Sequence, residues 1–100
     1  AGLVLPPTGV YAAVARVNGR KLAAAVNIGR RPTLAGAAVE TRVEAHLLDF
    51  EGELYGERLS LEFRRRLRGE ERFPSLDRLV AQIAKDVESV RRWARNGGLP

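Results

Sequence analysis

After Phe73-Pro74 the spacing of apolar residues changes from two to about 3.6, and this one switch limits the chain to strands first and a single helix last. Residues 9–17 form an apolar, Val- and Ala-rich run, and residues 20–28 form another, with Asn18-Gly19 alone between them. Two residues that tolerate positive φ in that position predict a type I′ hairpin. Residues 29–38 contain Pro32 and Gly36, lack periodicity, and read as a loop. From 39 to 49 the pattern alternates. Val39, Thr41, Val43, Ala45 and Leu47 share one face, and Glu40, Arg42, Glu44 and His46 share the other, as expected of a half-buried strand. The segment Glu51-Gly52-Glu53-Leu54-Tyr55-Gly56 punctuates, and Leu59, Leu61 and Phe63 then alternate with Arg58, Ser60, Glu62 and Arg64 as a fourth strand.

Beyond the switch, Leu76, Leu79, Val80, Ile83, Val87 and Val90 lie on one helical stripe. Ser75 is the expected N-cap, Asp77 suits the first turn, and Arg91, Arg92 and Arg95 complement the C-terminal dipole before Gly97-Gly98. The expectation is one domain over 1–100, with strands within about 9–68 and a helix over about 75–95. Successive short antiparallel strands with turn-rich connections favour a barrel or a sandwich with the helix packed across it.

Composition narrows the class of function. At 100 residues, 45% hydrophobic and 29% charged, the chain has room for one modest core and no second catalytic domain. It has no cysteine, which removes disulfides and thiolate metal sites and favours the cytoplasm. No apolar stretch approaches the length needed to span a bilayer, so no membrane role is expected. The net charge of +5 suggests an acidic partner. Fifteen of the 17 basic residues are arginine, many in Ala-rich surroundings that indicate a coding bias, so the charge is weak support for nucleic acid. The local nucleotide signatures G-x-x-x-x-G-K-[ST] and G-x-G-x-x-G are absent, as is the protein-kinase catalytic loop.

The order of short strings says more. Gly9-Val10-Tyr11-Ala12, Asn27-Ile28-Gly29-Arg30-Arg31-Pro32-Thr33, Val43-Glu44-Ala45-His46-Leu47-Leu48-Asp49-Phe50, Leu54-Tyr55-Gly56, and Leu67-Arg68-Gly69-Glu70 with Phe73 resemble the riboflavin kinase (flavokinase) family. The closing helix, with Gln82-Ile83 and Asp86, is similar to that family's end, so the likeness runs from Gly9 to about Arg92. The resemblance implies a mainly β fold, a six-stranded Greek-key barrel with one long C-terminal helix. It also implies ATP-dependent phosphorylation of riboflavin to FMN, with Mg2+ and ATP on one side and the flavin on the other. In bacteria the domain commonly ends a bifunctional FAD synthetase, so an adenylyltransferase domain is the expected missing partner. The family's Pro-Thr-Ala-Asn string, whose Thr and Asn serve phosphate and Mg2+, is expected just ahead of the Gly-Val-Tyr strand. Pro7-Thr8 and Pro32-Thr33 are not followed by that Asn, so no metal ligand is carried over to this sequence.

Among the residues present, the resemblance makes Glu44 the base toward the riboflavin 5′-hydroxyl. Without it, Glu44 reads as a solvated residue on the polar face of its strand. Arg68 matches an arginine beside the flavin; its alternative is a surface charge in the Arg64-Arg65-Arg66 run. Phe73 is either part of the flavin wall or a hydrophobic staple ahead of the helix. Asn27, Gly29 and Arg30 fall in a segment the family sets near the nucleotide, and would otherwise be an ordinary strand exit. His46, the one histidine, suits packing or orienting Glu44 better than metal binding. Two other functions stay open: a flavin- and nucleotide-binding barrel without turnover, and a basic nucleic-acid module, which the lack of interleaved aromatics disfavours.

Overall fold

A computed structural model describes residues 5–32, 39–51 and 58–100. The Leu54-Tyr55-Gly56 string and Thr33 lie outside the described residues. Four strands, β1 (Gly9–Val17), β2 (Arg20–Pro32), β3 (Val39–Leu47) and β4 (Leu59–Arg68), precede helix α1 (Leu76–Trp93) and one wide π-helical turn (Ala94–Gly98). All pairings are antiparallel, and the spatial order is β3-β2-β1-β4. Three strands in succession with the fourth returning beside the first is Greek-key order. Among the described residues β3 and β4 are the two ends of the sheet, which does not close on itself.

The β1–β2 hairpin follows from its two central residues. Asn18 and Gly19 have φ of 50° and 76°, as type I′ geometry requires, and Val17 pairs with Arg20 across the turn. The apolar runs on either side make β1 the central strand, buried on both faces except at Arg16. On one face Tyr11, Ala13 and Ala15 pack with Leu22, Ala24, Val26 and Ile28, and Leu47, Phe50, Leu61 and Phe63 border them. Tyr11 donates its hydroxyl to the Pro7 carbonyl at 2.6 Å and meets the Phe63 ring edge-on at 5.4 Å, so this large aromatic is buried without an orphaned polar atom. On the other face Ala12, Ala23 and Ala25 are small enough to admit the helix, which lays Val90 against them beside Leu48.

Gly9 opens β1 at φ 148°, with the Arg68 carbonyl 2.6 Å from where a Cβ would stand. The β1–β4 register shifts twice, between Val10 and Tyr11 and between Ala12 and Ala13. Such irregularities bend and twist a strand. Here they fall beside the end of β4 that carries Arg68.

Three elements depart from the sequence reading. Strand β2 continues through Pro32, pairing Gly29 with Arg42 and Arg30 with Thr41, where a loop over 29–38 was expected. The ladder there is held by backbone bonds between two polar stretches, so hydrophobic alternation carries no trace of it. Pro32 is the last residue of the strand, where its missing N–H costs least. Strand β3 was expected to be half buried. Residues Glu40 to His46 are all exposed, Val43 at 41%, because this end strand has no covering layer among the described residues. The apolar stripe of α1 is used only in part. Val90 is fully buried and Val87 half-buried, whereas Leu76 is 74% and Val80 57% exposed.

The α-helix ends at Trp93, two residues short of the expected end, and Gly97 completes the stop in the left-handed region at φ 92°. At the other end the Ser75 hydroxyl accepts the Arg78 N–H at 3.2 Å. Ser75→Ala should remove about 1 kcal/mol of stability, lowering Tm by about 5 °C, as thermal unfolding followed by circular dichroism would report. No helix among the described residues is long and apolar enough to cross a membrane.

Candidate active site

The exposed half of α1 overhangs a cleft of about 390 Å³. Strand β2 contributes Ala25 and Asn27, β3 contributes Glu44, Ala45 and His46, and β4 ends in it with Arg68. The segment from β4 to the helix adds Glu70, Glu71 and Phe73, and α1 adds Leu79, Ile83, Asp86 and Val87. A smaller hollow of about 90 Å³ adjoins it, lined by Asn27, Gly29, Arg30, Arg42, Glu44 and Glu70. Asn27, Glu44 and Glu70 belong to both. Register explains the first two: Asn27 of β2 pairs directly with Glu44 of β3, so their side chains leave the sheet on the same side.

The two hollows differ in chemistry. The larger has an apolar wall of Phe73, Leu79, Ile83 and Val87 facing polar groups from the sheet, the usual composition of a site for a flat organic ligand. The smaller is lined by Arg42, by Gly29 and by Arg30, whose backbone N–H is directed into it. The Glu70 carboxylate accepts the Arg30 backbone N–H at 3.3 Å, and a Cβ on Gly29 would stand 3.0 Å from that same oxygen. Gly29 thus leaves room for the carboxylate.

Arg68 is held more firmly than a surface charge would be. Its Nε–H donates to Asp86 Oδ1 at 3.0 Å, Nη2 to Asp86 Oδ2 at 2.8 Å, and Nη1 to the Gly69 carbonyl at 3.1 Å. The hydrogen bonds that Arg68 donates to Asp86 raise its already high pKa, outweighing the opposing effect of burial. The guanidinium carbon lies 5.8 Å from the centre of the Phe73 ring, within cation–π range. Phe73 stands two residues ahead of the cap Ser75, one too far for the staple position, and faces the cleft instead.

Every residue singled out from the sequence, Glu44, Arg68, Phe73, Asn27, Gly29 and Arg30, lines one or both hollows. His46 also lines the cleft and is exposed, so packing does not explain it. Sequence reasoning missed Glu70 and Asp86 as site residues. The four-residue step from Gln82 to Asp86 was the available signal for one, since Gln82 Nε2 donates to Asp86 Oδ1 at 3.0 Å. Leu79 and Ile83 were read only as part of the helical stripe, because spacing does not say what covers such a face. Among the described residues no group of three or more His, Asp or Glu side chains could hold a metal ion.

Comparison with known proteins gives a consistent picture. The family model for riboflavin kinase matches residues 1–94. A bifunctional riboflavin kinase/FMN adenylyltransferase of Pseudomonas fluorescens is 43% identical over 90 residues, covering 90% of this chain and 29% of the relative. Its counterpart in Escherichia coli K12 is 44% identical over 91 residues, covering 90% of this chain and 28% of the relative. The chain therefore spans less than a third of the length of these relatives. A solved structure described as a macrolide-efflux protein from Streptococcus pneumoniae superimposes with a TM-score of 0.80 at 32% identity, over 90% of this chain and 29% of that one.

Proposed function

Because the chain belongs to the riboflavin kinase family, we propose that it transfers the γ-phosphoryl group of ATP to the 5′-hydroxyl of riboflavin, giving FMN and ADP. One observation carries the reading: an apolar-walled cleft and a small basic hollow meet at a shared carboxylate, Glu44. Phosphoryl transfer needs an alcohol and a phosphate brought together in line, with a group at the junction to take the proton.

In this reading the flavin ring lies against Phe73, Leu79 and Ile83, and its ribityl chain leads toward Glu44. The carboxylate hydrogen-bonds the 5′-hydroxyl, orients it, and takes its proton as the oxygen attacks phosphorus and the bond to ADP breaks. Arg30 and Arg42 bring positive charge to the phosphates, and Gly29 lets them approach the backbone. Mg2+ enters as part of the ATP substrate. Among the described residues no group of three or more His, Asp or Glu side chains could hold it without the nucleotide. The finer fold belongs to the same proposal: a six-stranded Greek-key barrel completed around these four strands, in a cytoplasmic protein that also bears an FMN adenylyltransferase domain.

A second reading, a barrel that binds flavin without turnover, is the competing function, because among the described residues no group of three or more His, Asp or Glu side chains could hold a metal ion beside the phosphates. Titrating riboflavin while following its fluorescence, and then assaying ADP release with MgATP, separates them. Quenching with Mg2+-dependent ADP release is the expected result. Quenching alone leaves the binding module, and neither response removes both readings.

A further inference from the structure

Asp86 is, among the described residues, the one charged residue that is buried, with 8% of its surface exposed. The transfer chemistry gives it no task. It reaches no nucleotide-side residue, and Glu44 already stands where the proton must go. Its two oxygens are instead filled on the cleft side of α1, by Arg68 Nε and Gln82 Nε2 at Oδ1 and by Arg68 Nη2 at Oδ2.

These bonds fix a plane. A bidentate carboxylate leaves a guanidinium no rotation about its own axis. The third bond, from Nη1 to the Gly69 carbonyl, ties the same plane to the first residue of the segment that follows β4. Four residues further along that segment Phe73 lies against the guanidinium. The order of constraint runs from the helix to Asp86, to Arg68, to the ring of Phe73. Gln82 enters one turn earlier on the helix and fixes the carboxylate's own rotation.

We propose that Asp86 is a positioning residue for recognition of the flat ring: it holds Arg68 and, through it, Phe73, so that the apolar wall of the cleft is formed before a ligand arrives. The inference rests on the cleft being the flavin side of a riboflavin kinase. It extends that reading, because it assigns ring affinity to a buried charge of the helix at the edge of the cleft. A preformed wall avoids the ordering cost of a mobile one, so losing Asp86 weakens binding with little change in the chemical step.

The test uses riboflavin itself as probe. Asp86→Asn keeps the shape of the side chain but turns an Nδ2–H₂ donor toward the donors of Arg68, which drives the guanidinium out of its plane. The expected result is a riboflavin Kd raised about tenfold in fluorescence titration, with kcat at saturating riboflavin and ADP affinity within about twofold of the parent. A second variant, Arg68→Met with Asp86→Leu, replaces the pair by apolar groups, which commonly restores or exceeds parental stability. It should recover Tm without recovering riboflavin affinity, a separation that a merely stabilising ion pair would not produce. Parental Kd in Asp86→Asn, or recovery of affinity together with Tm in the double variant, overturns the assignment. If the parent chain itself fails to quench riboflavin, the flavin reading falls and takes this one with it; quenching by the parent with unchanged variants removes Asp86 alone.

Discussion

Glu44→Gln is expected to lower kcat for FMN formation by two or more decades while leaving riboflavin Kd within about twofold of the parent. Glutamine keeps the size of the side chain and one oxygen acceptor, so the hydroxyl can still be bound. It cannot take up a proton near neutral pH, so the attacking oxygen must lose its proton to water. A base positioned at the reacting group contributes roughly a hundred- to ten-thousandfold, which is about 3 to 5 kcal/mol of transition-state stabilisation. The measurement is single-turnover production of FMN at saturating MgATP, compared with flavin quenching by the same protein. Near-parental turnover would remove Glu44 from the chemistry and leave it a solvated residue of an exposed strand. A rise in Kd together with a fall in kcat would point to a cleft that no longer forms, since Glu44 pairs across the sheet from Asn27.

The second large effect is expected at Gly9, which lines neither hollow. A Cβ there would lie 2.6 Å from the Arg68 carbonyl, a backbone atom that no rotamer change can move aside, and 3.0 Å from Arg66 Nε. The residue also sits at φ 148°, which L side chains rarely adopt. Gly9→Ala must therefore separate the start of β1 from the end of β4, where Val10 pairs with Arg68. A local distortion of this kind costs about 1–3 kcal/mol, equivalent to a Tm lower by on the order of 10 °C for a domain of this size. Because the strand end that moves carries Arg68, riboflavin affinity should fall in the same variant. A Tm within 2–3 °C of the parent, by calorimetry, would show that the close approach is dispensable.

The two variants probe different levels of the same structure. In the proposed mechanism Glu44 acts through its own carboxylate. Gly9 acts through the backbone geometry that brings β4 to the cleft. Their expected signatures are correspondingly opposite: lost turnover with intact binding in one, lost stability with weakened binding in the other.

Much of the fold was legible in the sequence, and the reason is local. Asn18-Gly19 specifies its hairpin because positive φ at two successive positions is a property of those two residues. Ser75 caps the helix for a similarly local reason, one hydroxyl three residues ahead of the N–H it accepts. The burial of β1 on both faces could be read from its apolar run, broken only at Arg16, since only a strand covered on both sides can bury successive side chains. The six residues selected for the site came from the order of short strings, a signal that belongs to kinship and holds no geometry.

What the chain order could not tell is where each surface would end up. The stripe on α1 is one continuous apolar face by spacing, yet Val90 is buried against Ala12, Ala23 and Ala25 while Leu79 and Ile83 overhang the cleft. Helical periodicity identifies a face; what covers it depends on which strands lie beneath, and here the sheet supports only the C-terminal half. Strand β3 alternates as if half buried and is exposed because it ends the sheet. The pairing of Arg68 with Asp86, eighteen residues apart, exists only because β4 and α1 are brought side by side. The sequence by itself determined the elements, their caps and turns, and the family, all set by neighbours along the chain. Tertiary structure alone decided that Glu44 stands between two hollows and that a buried aspartate holds Arg68 in one of them, because both facts depend on contacts between strands and helix that no short stretch of sequence contains.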